Sequence, residues 1–159
     1  MIHKLQHNEQ VLSAHFTVNG ENLATACEDS RIYEWDIEIG KLKRSHEYHT
    51  KRVLRVRYSP TDPNILASSS DDRAVHIYEY GSLKHKLKSH RDGVCTINFN
   101  KEGNLLVSGI SVVCERFCLM YCLKVHLIML LLYGMLILVF NYILCWDIRE
   151  QFIRLVLVL

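Results

Sequence analysis

The amino-acid sequence predicts an all-β fold made of a short repeated unit, followed by an apolar segment of different composition. The pattern His-x3-Val occurs three times, at intervals of 42 and 41 residues, beginning at His7, His49 and His90. An aromatic residue follows each of these valines by five positions, and an apolar run that ends in small residues comes next. A fixed period of this length is the signature of a repeat architecture, and short alternating runs bounded by turn residues are typical of strands.

The second copy shows how each unit divides into three or four short strands. In 54–58, apolar residues alternate with two arginines, which is the period of a strand with one exposed face. The segment 59–64 carries the Pro, Asp and Asn residues that turns require, and the apolar and small residues of 66–70 suit a buried strand. The remaining pieces are acidic turns at 28–30 and 71–73, each followed by a short alternating strand, at 32–36 and 75–79.

These repeats resemble the WD40 family, whose units form the four-stranded blades of a β-propeller. The resemblance covers residues 7–109 and 145–149. It is carried by the His-x3-Val starts, Tyr58-Ser59-Pro60, the acidic turns, Trp35-Asp36 and Trp146-Asp147. It implies an all-β, partial WD40 β-propeller of about two and a half blades, with a C-terminal apolar segment that we predict to be helical. A closed propeller has about four to eight blades, so we expect this chain to be part of a longer propeller.

The resemblance also implies a hydrogen-bonded chain of His, Ser or Thr, Asp and Trp that holds the strands of each blade together. The matching residues are His7, Thr25, Asp29 and Trp35 in the first copy, His49, Ser68, Asp72 and Tyr78 in the second, and His90 in the third. A group that recurs once per repeat is better explained by structure than by catalysis, so we predict no catalytic residues. The sequence has no phosphate loop, zinc-protease helix, dinucleotide fingerprint or nucleophile elbow, so neither an enzyme nor a cofactor is expected.

No metal site is predicted either. Cys114, Cys118, Cys122 and His126 recur every four residues, which is one stripe of a helix. Such a row extends about 18 Å, whereas a zinc ion needs all its ligands about 2 Å away.

The charged residues leave two interpretations open. A net charge of +2 is too small to indicate a nucleic-acid partner, and acidic residues are interleaved with the basic ones. The basic residues at the repeat starts and turns are either a solvated surface or the lining of one propeller end that binds peptides. The candidate partner-binding residues are Lys51, Arg52, Arg73 and Arg91.

The segment after the third repeat start departs from the pattern. Val112–Leu144 contains 27 apolar residues out of 33, and the third Trp falls at residue 146, about 28 positions late for the period of the first two copies. We therefore divide the chain into WD40 repeats at 1–109, an apolar insertion at 110–144, and a WD-like strand remnant with an apolar tail at 145–159.

Three origins of this insertion remain open. Leu127–Trp146 has 20 residues without a charge, enough for a helix of about 30 Å that would span a membrane. Alternatively, the insertion consists mainly of residue types with thymine-rich codons, as a retained intron or a gene-model error would produce. A buried or oligomer-forming helix is the third interpretation.

The function indicated by the sequence is a non-catalytic WD40 scaffold that binds protein partners within a multi-protein complex, as a fragment or aberrant splice product of a longer propeller protein. We expect a cytoplasmic or nuclear location, because the first fifteen residues contain no apolar signal-peptide core and no Asn-x-Ser/Thr triplet occurs. One alternative is a membrane-anchored WD40 protein. Another is a substrate receptor of a cullin-type ubiquitin ligase, because Trp146-Asp147-Ile148-Arg149 resembles the Trp-Asp-x-Arg ending of such receptors.

Overall fold

Every regular element in the part of the chain that the structure describes is a β-strand. The computed structural model describes residues 3–88, 90–113, 120–129, 138–147 and 152–157. The strands of the first two repeats are β1 (Val11–Phe16), β2 (Asn22–Cys27), β3 (Ile32–Asp36), β4 (Lys41–His46), β5 (Val53–Tyr58), β6 (Ile65–Ser70), β7 (Val75–Glu79) and β8 (Ser82–Leu87). The remaining strands are β9 (Val94–Phe99), β10 (Leu105–Val113), β11 (Met120–Met129), β12 (Leu138–Asp147) and β13 (Phe152–Leu157).

The strands form three antiparallel sheets that follow the repeats. The first sheet has the order β1-β2-β3-β4, the second β5-β6-β7-β8, and the third β13-β12-β11-β10-β9. Each sheet therefore uses strands that are consecutive along the chain, as the blades of a propeller do. The predicted all-β fold and partial propeller are confirmed.

The first two blades are alike even in their irregularities. The pairing of β1 with β2 shifts between Val11 and Ser13, and the pairing of β5 with β6 shifts between Val53 and Arg55. A second shift occurs after Glu34 in β3 and at the equivalent Ile77 in β7. A bulge re-aims the side chains that follow it, so these shared bulges give both blades the same inward-facing positions.

Two apolar clusters pack neighbouring blades together. Between the first and second blades, Ala24 and Ile32 contact Val56 and Leu66, and between the second and third blades, Ala67 and its neighbours contact strands β9 and β10. All six residues of β6 are buried, with successive apolar side chains facing opposite clusters. The small residues of this strand let both neighbouring blades approach it closely.

The prediction of a helix for the apolar segment is wrong for residues 120–129 and 138–147, which form β11 and β12. Strand β11 pairs with β10 over nine consecutive positions, from Leu105 with Met129 to Val113 with Tyr121. A continuous apolar run does not distinguish a strand from a helix by its periodicity, and here the open edge of β10 supplies backbone partners.

Several sequence-based predictions lie outside the described residues. They concern Cys114 and Cys118 of the cysteine stripe and Ile148 and Arg149 of the Trp-Asp-x-Arg ending. In the part of the chain that is described, no helix is long and apolar enough to cross a membrane. Strand β10 runs through the position between residues 109 and 110 where we divided the chain.

Candidate interaction site

The second blade contains a buried chain of polar side chains centred on His49. This residue lies in the loop between β4 and β5, and its Nε2 is 2.8 Å from the hydroxyl oxygen of Ser68 on β6. Its Nδ1 is 2.9 Å from Oδ2 of Asp72, in the turn between β6 and β7. The Asp72 carboxylate also accepts the backbone N–H groups of Thr50 and Ala74, at 3.1 and 3.0 Å. One side chain from the loop thus joins a strand and a turn of the same blade.

The charge states in this chain follow from burial and hydrogen bonding. Burial lowers the pKa of His49, although the hydrogen bond to Asp72 acts in the opposite direction. Burial alone would raise the pKa of Asp72, but the bonds from His49, Thr50 and Ala74 outweigh it and hold that pKa below its usual value. Because a carboxylate can only accept, Nδ1–H of the neutral imidazole donates to Asp72, and Nε2 accepts from the Ser68 hydroxyl.

The connectivity Ser68–His49–Asp72 is that of a catalytic triad, but its environment is different. Ser68 has no exposed surface and the His49 side chain is 1% exposed. A triad serine has to reach a substrate carbonyl, and this hydroxyl has no solvent access. The arrangement satisfies buried polar atoms within a blade.

Two aromatic side chains complete the second blade's polar chain. The ring of His76 on β7 stacks on the ring of His49, with centroids 3.8 Å apart and planes at 8°. The hydroxyl of Tyr78, which replaces the family's Trp, interacts with Ser68 and lies 3.4 Å from Nδ1 of His76. Sequence analysis did not select His76. The register of β6 and β7, which places His76 directly opposite Ser68, was the signal that could have identified it.

Three residues of this region carry atoms that could bind a metal, but their arrangement does not fit a metal ion. Ligand atoms of His49, Asp72 and His76 lie within 4.8 Å of one another. However, both ring nitrogens of His49 are already hydrogen-bonded, and lone pairs in two parallel stacked planes do not converge on one point. A metal ion needs its ligand atoms about 2 Å away on converging directions.

The first blade assembles its predicted residues differently. Trp35 Nε1 donates to Thr25 Oγ1 at 3.1 Å, and His7 Nε2 lies 3.4 Å from the same oxygen. Asp29 does not bond His7; it accepts from the hydroxyl of Tyr33 and from the backbone N–H of Arg31. Tyr33 occupies the position in the first blade that His76 occupies in the second. Its hydroxyl donates to Asp29, the carboxylate that was predicted to bond His7.

The third blade has the beginning of the same arrangement. His90 Nε2 is 2.7 Å from the hydroxyl oxygen of the fully buried Ser108 on β10. Sequence analysis selected His90 but not Ser108, although the small residues at the end of that apolar run resemble those around Ser68.

A second buried network, which sequence analysis missed, joins the first blade to the second. Glu34 on β3 has its Oε1 at 2.6 Å from Nε2 of His46 and accepts the hydroxyl of Tyr58, on β5 of the next blade, at 2.8 Å. Arg44 approaches the same carboxylate at 3.7 Å. Burial would raise the pKa of Glu34, but the bonds from His46 and Tyr58 and the charge of Arg44 hold it below its usual value.

The four candidate partner-binding residues lie at the end of the blades where the His49 loop and the Asp72 turn meet. The backbone N–H of Asp71 donates to the carbonyl of Arg52 at 3.1 Å, and Gly93, in the loop before β9, lies against Asp71. The Arg52 side chain bonds Asp71 at 2.7 Å and reaches Glu28 of the first blade at 3.4 Å. Lys51, Arg73 and Arg91 are exposed, and none of them forms an ion pair with another described residue. Arg52 is therefore engaged between two turns, whereas the other three cations face solvent.

Replacing Asp72 with alanine should lower the free energy of unfolding by about 1–3 kcal/mol, because His49 Nδ1 and two backbone N–H groups lose their acceptor. The matched control is Asp71→Ala in the same turn, which removes an ion pair to the exposed Arg52 and should cost about 0–1 kcal/mol. Urea unfolding of both variants measures the difference. Equal losses for the two variants would show that the His49 chain does not stabilise the blade.

The fold and its turns identify the chain's class, and comparison with known proteins agrees. The chain belongs to the WD40 family. The sequence pattern of this family, described as "WD domain, G-beta repeat", matches residues 1–36, 40–79 and 81–112. The resemblance predicted from the sequence is confirmed.

Its relatives include larger proteins of several kinds. The chain is 32% identical over 107 residues to nuclear distribution protein nudF of Aspergillus flavus, which covers 64% of this chain and 23% of the relative. It is 28% identical over 104 residues to the U5 small nuclear ribonucleoprotein 40 kDa protein of Dictyostelium discoideum, covering 65% and 29%. It is 29% identical over 89 residues to the human WD repeat and SOCS box-containing protein 1, covering 54% and 21%. The chain thus spans about a quarter of the length of these curated relatives.

Proposed function

We propose that this chain is a non-catalytic WD40 scaffold that binds protein partners through the turns at one end of its blades. We call this end, where the His49 loop and the Asp72 turn meet, the Asp72 end. The observation that carries the proposal is the pair of ion pairs that Arg52 forms with two turns. Its side chain holds Asp71 of its own blade and Glu28 of the neighbouring blade, so turns from two blades are joined into one surface. Turns that are already joined lose less conformational freedom when a partner binds them.

The buried polar chain supports the same function. His49, Ser68 and Asp72 are withdrawn from solvent and bond one another, so their role in the proposal is to fix the turn that carries Arg73. Membership of the WD40 family supports a role in protein interaction rather than catalysis.

The relatives support partners within a multi-protein complex and a cytoplasmic or nuclear location. The name of the Dictyostelium relative places that protein in a small nuclear ribonucleoprotein, and the name of the Aspergillus relative concerns nuclear distribution. The name of the human relative combines WD repeats with a SOCS box, which is a precedent for WD40 blades joined to another segment in one protein. A cullin-ligase receptor remains a narrower proposal, which rests on Trp146-Asp147-Ile148-Arg149 alone.

Selection of a random peptide display library on the purified chain tests the proposed function. We expect enriched peptides whose binding is lost on charge reversal at the Asp72 end and is retained on charge reversal at the opposite end. Suitable exposed positions are Arg73 at the first end, and Lys41 and Lys101, beside the turns that precede β4 and β10, at the other. Peptides that depend on the opposite end, or a selection without enrichment, would contradict the proposal.

We further propose that 110–144 is an insertion into the third blade, of retained-intron type, as the late position of Trp146 suggests. Replacing 110–144 with a short Ser-x-Asp turn should increase the soluble fraction of the expressed chain, and transcripts without these codons should exist. Recovery of the endogenous full-length chain in carbonate-resistant membranes, with no shorter transcript, would overturn this interpretation.

A further inference from the structure

At the Asp72 end of the second blade, three acidic side chains are already bonded to other groups of the chain, so several basic side chains there have no ion-pair partner among the described residues. Asp71 accepts Nε and Nη2 of Arg52 at 2.8 and 2.7 Å, and Glu28 lies 3.4 Å from Nη1 of the same arginine. Asp72 accepts His49 and two backbone N–H groups. Three of the carboxylates that alternate with basic residues along the chain are therefore already bonded, with the side chain of Asp72 buried and those of Asp71 and Glu28 partly exposed.

The basic residues around them remain in solvent. We define the basic surface as the five exposed cations of this end that form no ion pair with another described residue, namely Lys51, Arg73, Lys86, Lys88 and Arg91. Lys84 differs from them, because it pairs with Glu79 at 3.3 Å towards the opposite end of β8.

Lys86 and Lys88 lie close enough to the His49 region to act on it. The charge of Lys86 contributes to lowering the pKa of His49, and Lys86 and Lys88 both contribute to lowering that of His76, after the larger effect of burial. The loop before β9 also lies beside the Asp72 turn, because its Gly93 contacts Asp71. Arg91 is two residues before Gly93 in this loop. Three segments of chain thus bring their cations to one surface.

Arg73 occupies a strained position within this surface. Its φ is 71°, in the left-handed region that costs a residue with a side chain about 1 kcal/mol or more. The equivalent residue in the first blade is Ser30, also at φ 71°, so the turn itself does not require an arginine. A long cation held exposed at a strained position is consistent with a functional role for its charge.

We propose that the basic surface binds acidic segments of the partner protein, through carboxylates of Asp and Glu side chains. The inference rests on the proposed scaffold function and names the chemistry of its partner. Free guanidinium and ammonium groups on separate segments of the chain match carboxylates spaced along an extended peptide. An acidic protein segment is preferred to a nucleic acid because the proposed scaffold function concerns protein partners. Single-stranded oligothymidine, which presents the same sign of charge, separates the two partners by experiment.

Fluorescence anisotropy with a labelled peptide that alternates Glu with Gly or Ser tests the inference on the full chain. The double variant Arg73→Glu, Lys86→Glu should weaken binding by about tenfold or more, because it replaces attraction by repulsion at two positions. The control Lys41→Glu, Lys101→Glu changes the net charge equally at the opposite end and should weaken binding by less than about threefold. The variant Lys86→Glu, Lys88→Glu leaves the strained turn intact and should also weaken binding.

Three results would overturn the inference. They are equal binding of a peptide with Gln in place of Glu, equal losses for the double variant and its control, or tighter binding of single-stranded oligothymidine than of the Glu peptide. If library selection yields peptides that depend on the Asp72 end but are not enriched in Asp and Glu, the acidic chemistry is wrong and the scaffold function stands. If selection yields no peptides, the scaffold function itself fails.

Discussion

Replacing Glu34 with alanine is expected to lower the free energy of unfolding by about 3 kcal/mol, one of the two largest effects that we predict for this chain. The carboxylate is the acceptor for His46 and for the hydroxyl of Tyr58, and both of these side chains are at least 97% buried. Without it, two buried donors lose their partner and cannot reach water, at a cost of about 1–3 kcal/mol each. Arg44, whose side chain is 35% exposed, keeps access to solvent, so the loss of its ion pair with Glu34 adds less to the cost.

The loss should also weaken the contact between two blades, because Tyr58 belongs to the second blade and Glu34 to the first. Urea unfolding measures the change, with the exposed Glu38→Ala as the control for removing a carboxylate from the same region. Glu34→Gln, which retains one acceptor oxygen, should cost less than Glu34→Ala. A loss for Glu34→Ala no greater than that for Glu38→Ala would show that the network does not stabilise the blade interface.

Acidification from pH 7 to pH 5 is expected to destabilise the chain, with His76 contributing about 2 kcal/mol by pH 5. Burial, with smaller contributions from the charges of His49 and Lys86, lowers the pKa of His76 from 6.5 to about 3. Between these two values the unfolded chain binds a proton that the folded chain does not, so the stabilisation present above pH 6.5 is lost progressively as the pH falls. His76 Nε2 is buried without a hydrogen-bond acceptor among the described residues, so a proton there would have no partner.

The variant His76→Phe keeps a ring against His49 and removes the titrating group. Between pH 7 and pH 5 the unfolding free energies of both proteins should fall. The fall should be about 2 kcal/mol smaller for the variant than for the wild type. The range above pH 5 is chosen because Glu34 and Asp72 have lowered pKa values and contribute only at lower pH. The control is His3→Phe at an exposed histidine. Identical pH profiles for His76→Phe and the wild type would contradict the buried, neutral state of His76.

The sequence was most informative about contacts within one repeat. The 43-residue offset from Asp29 to Asp72 located both acidic turns. The resemblance to the WD40 family then indicated His49, Ser68 and Asp72, which the structure places within hydrogen-bond distance. The same reasoning was incomplete for the first blade, where a tyrosine hydroxyl on β3 bonds Asp29 in place of His7. The hydroxyl group of Tyr33 on β3 was enough to change the hydrogen-bond partner of Asp29.

The apolar segment shows a different limit. Its composition suits a helix or a buried strand equally well, and a length of 20 uncharged residues favoured the helix. Strand β10 offers a row of backbone groups that β11 pairs along nine positions, and β12 then pairs along β11. The choice between the two conformations depends on a partner strand, which the local pattern does not contain.

The sequence by itself determined the repeat, the strands and turns within each blade, and the family, because these depend on residues a few positions apart and on a constant period. Only the tertiary structure decided which side chains meet across blades. Glu34 meets Tyr58 across 24 residues, and Arg52 joins Glu28 and Asp71, leaving Arg73 and its neighbours as the free cations of the surface. These contacts depend on how two sheets pack and on where bulges re-aim their side chains, and the physical reason is that such packing is a property of both surfaces together.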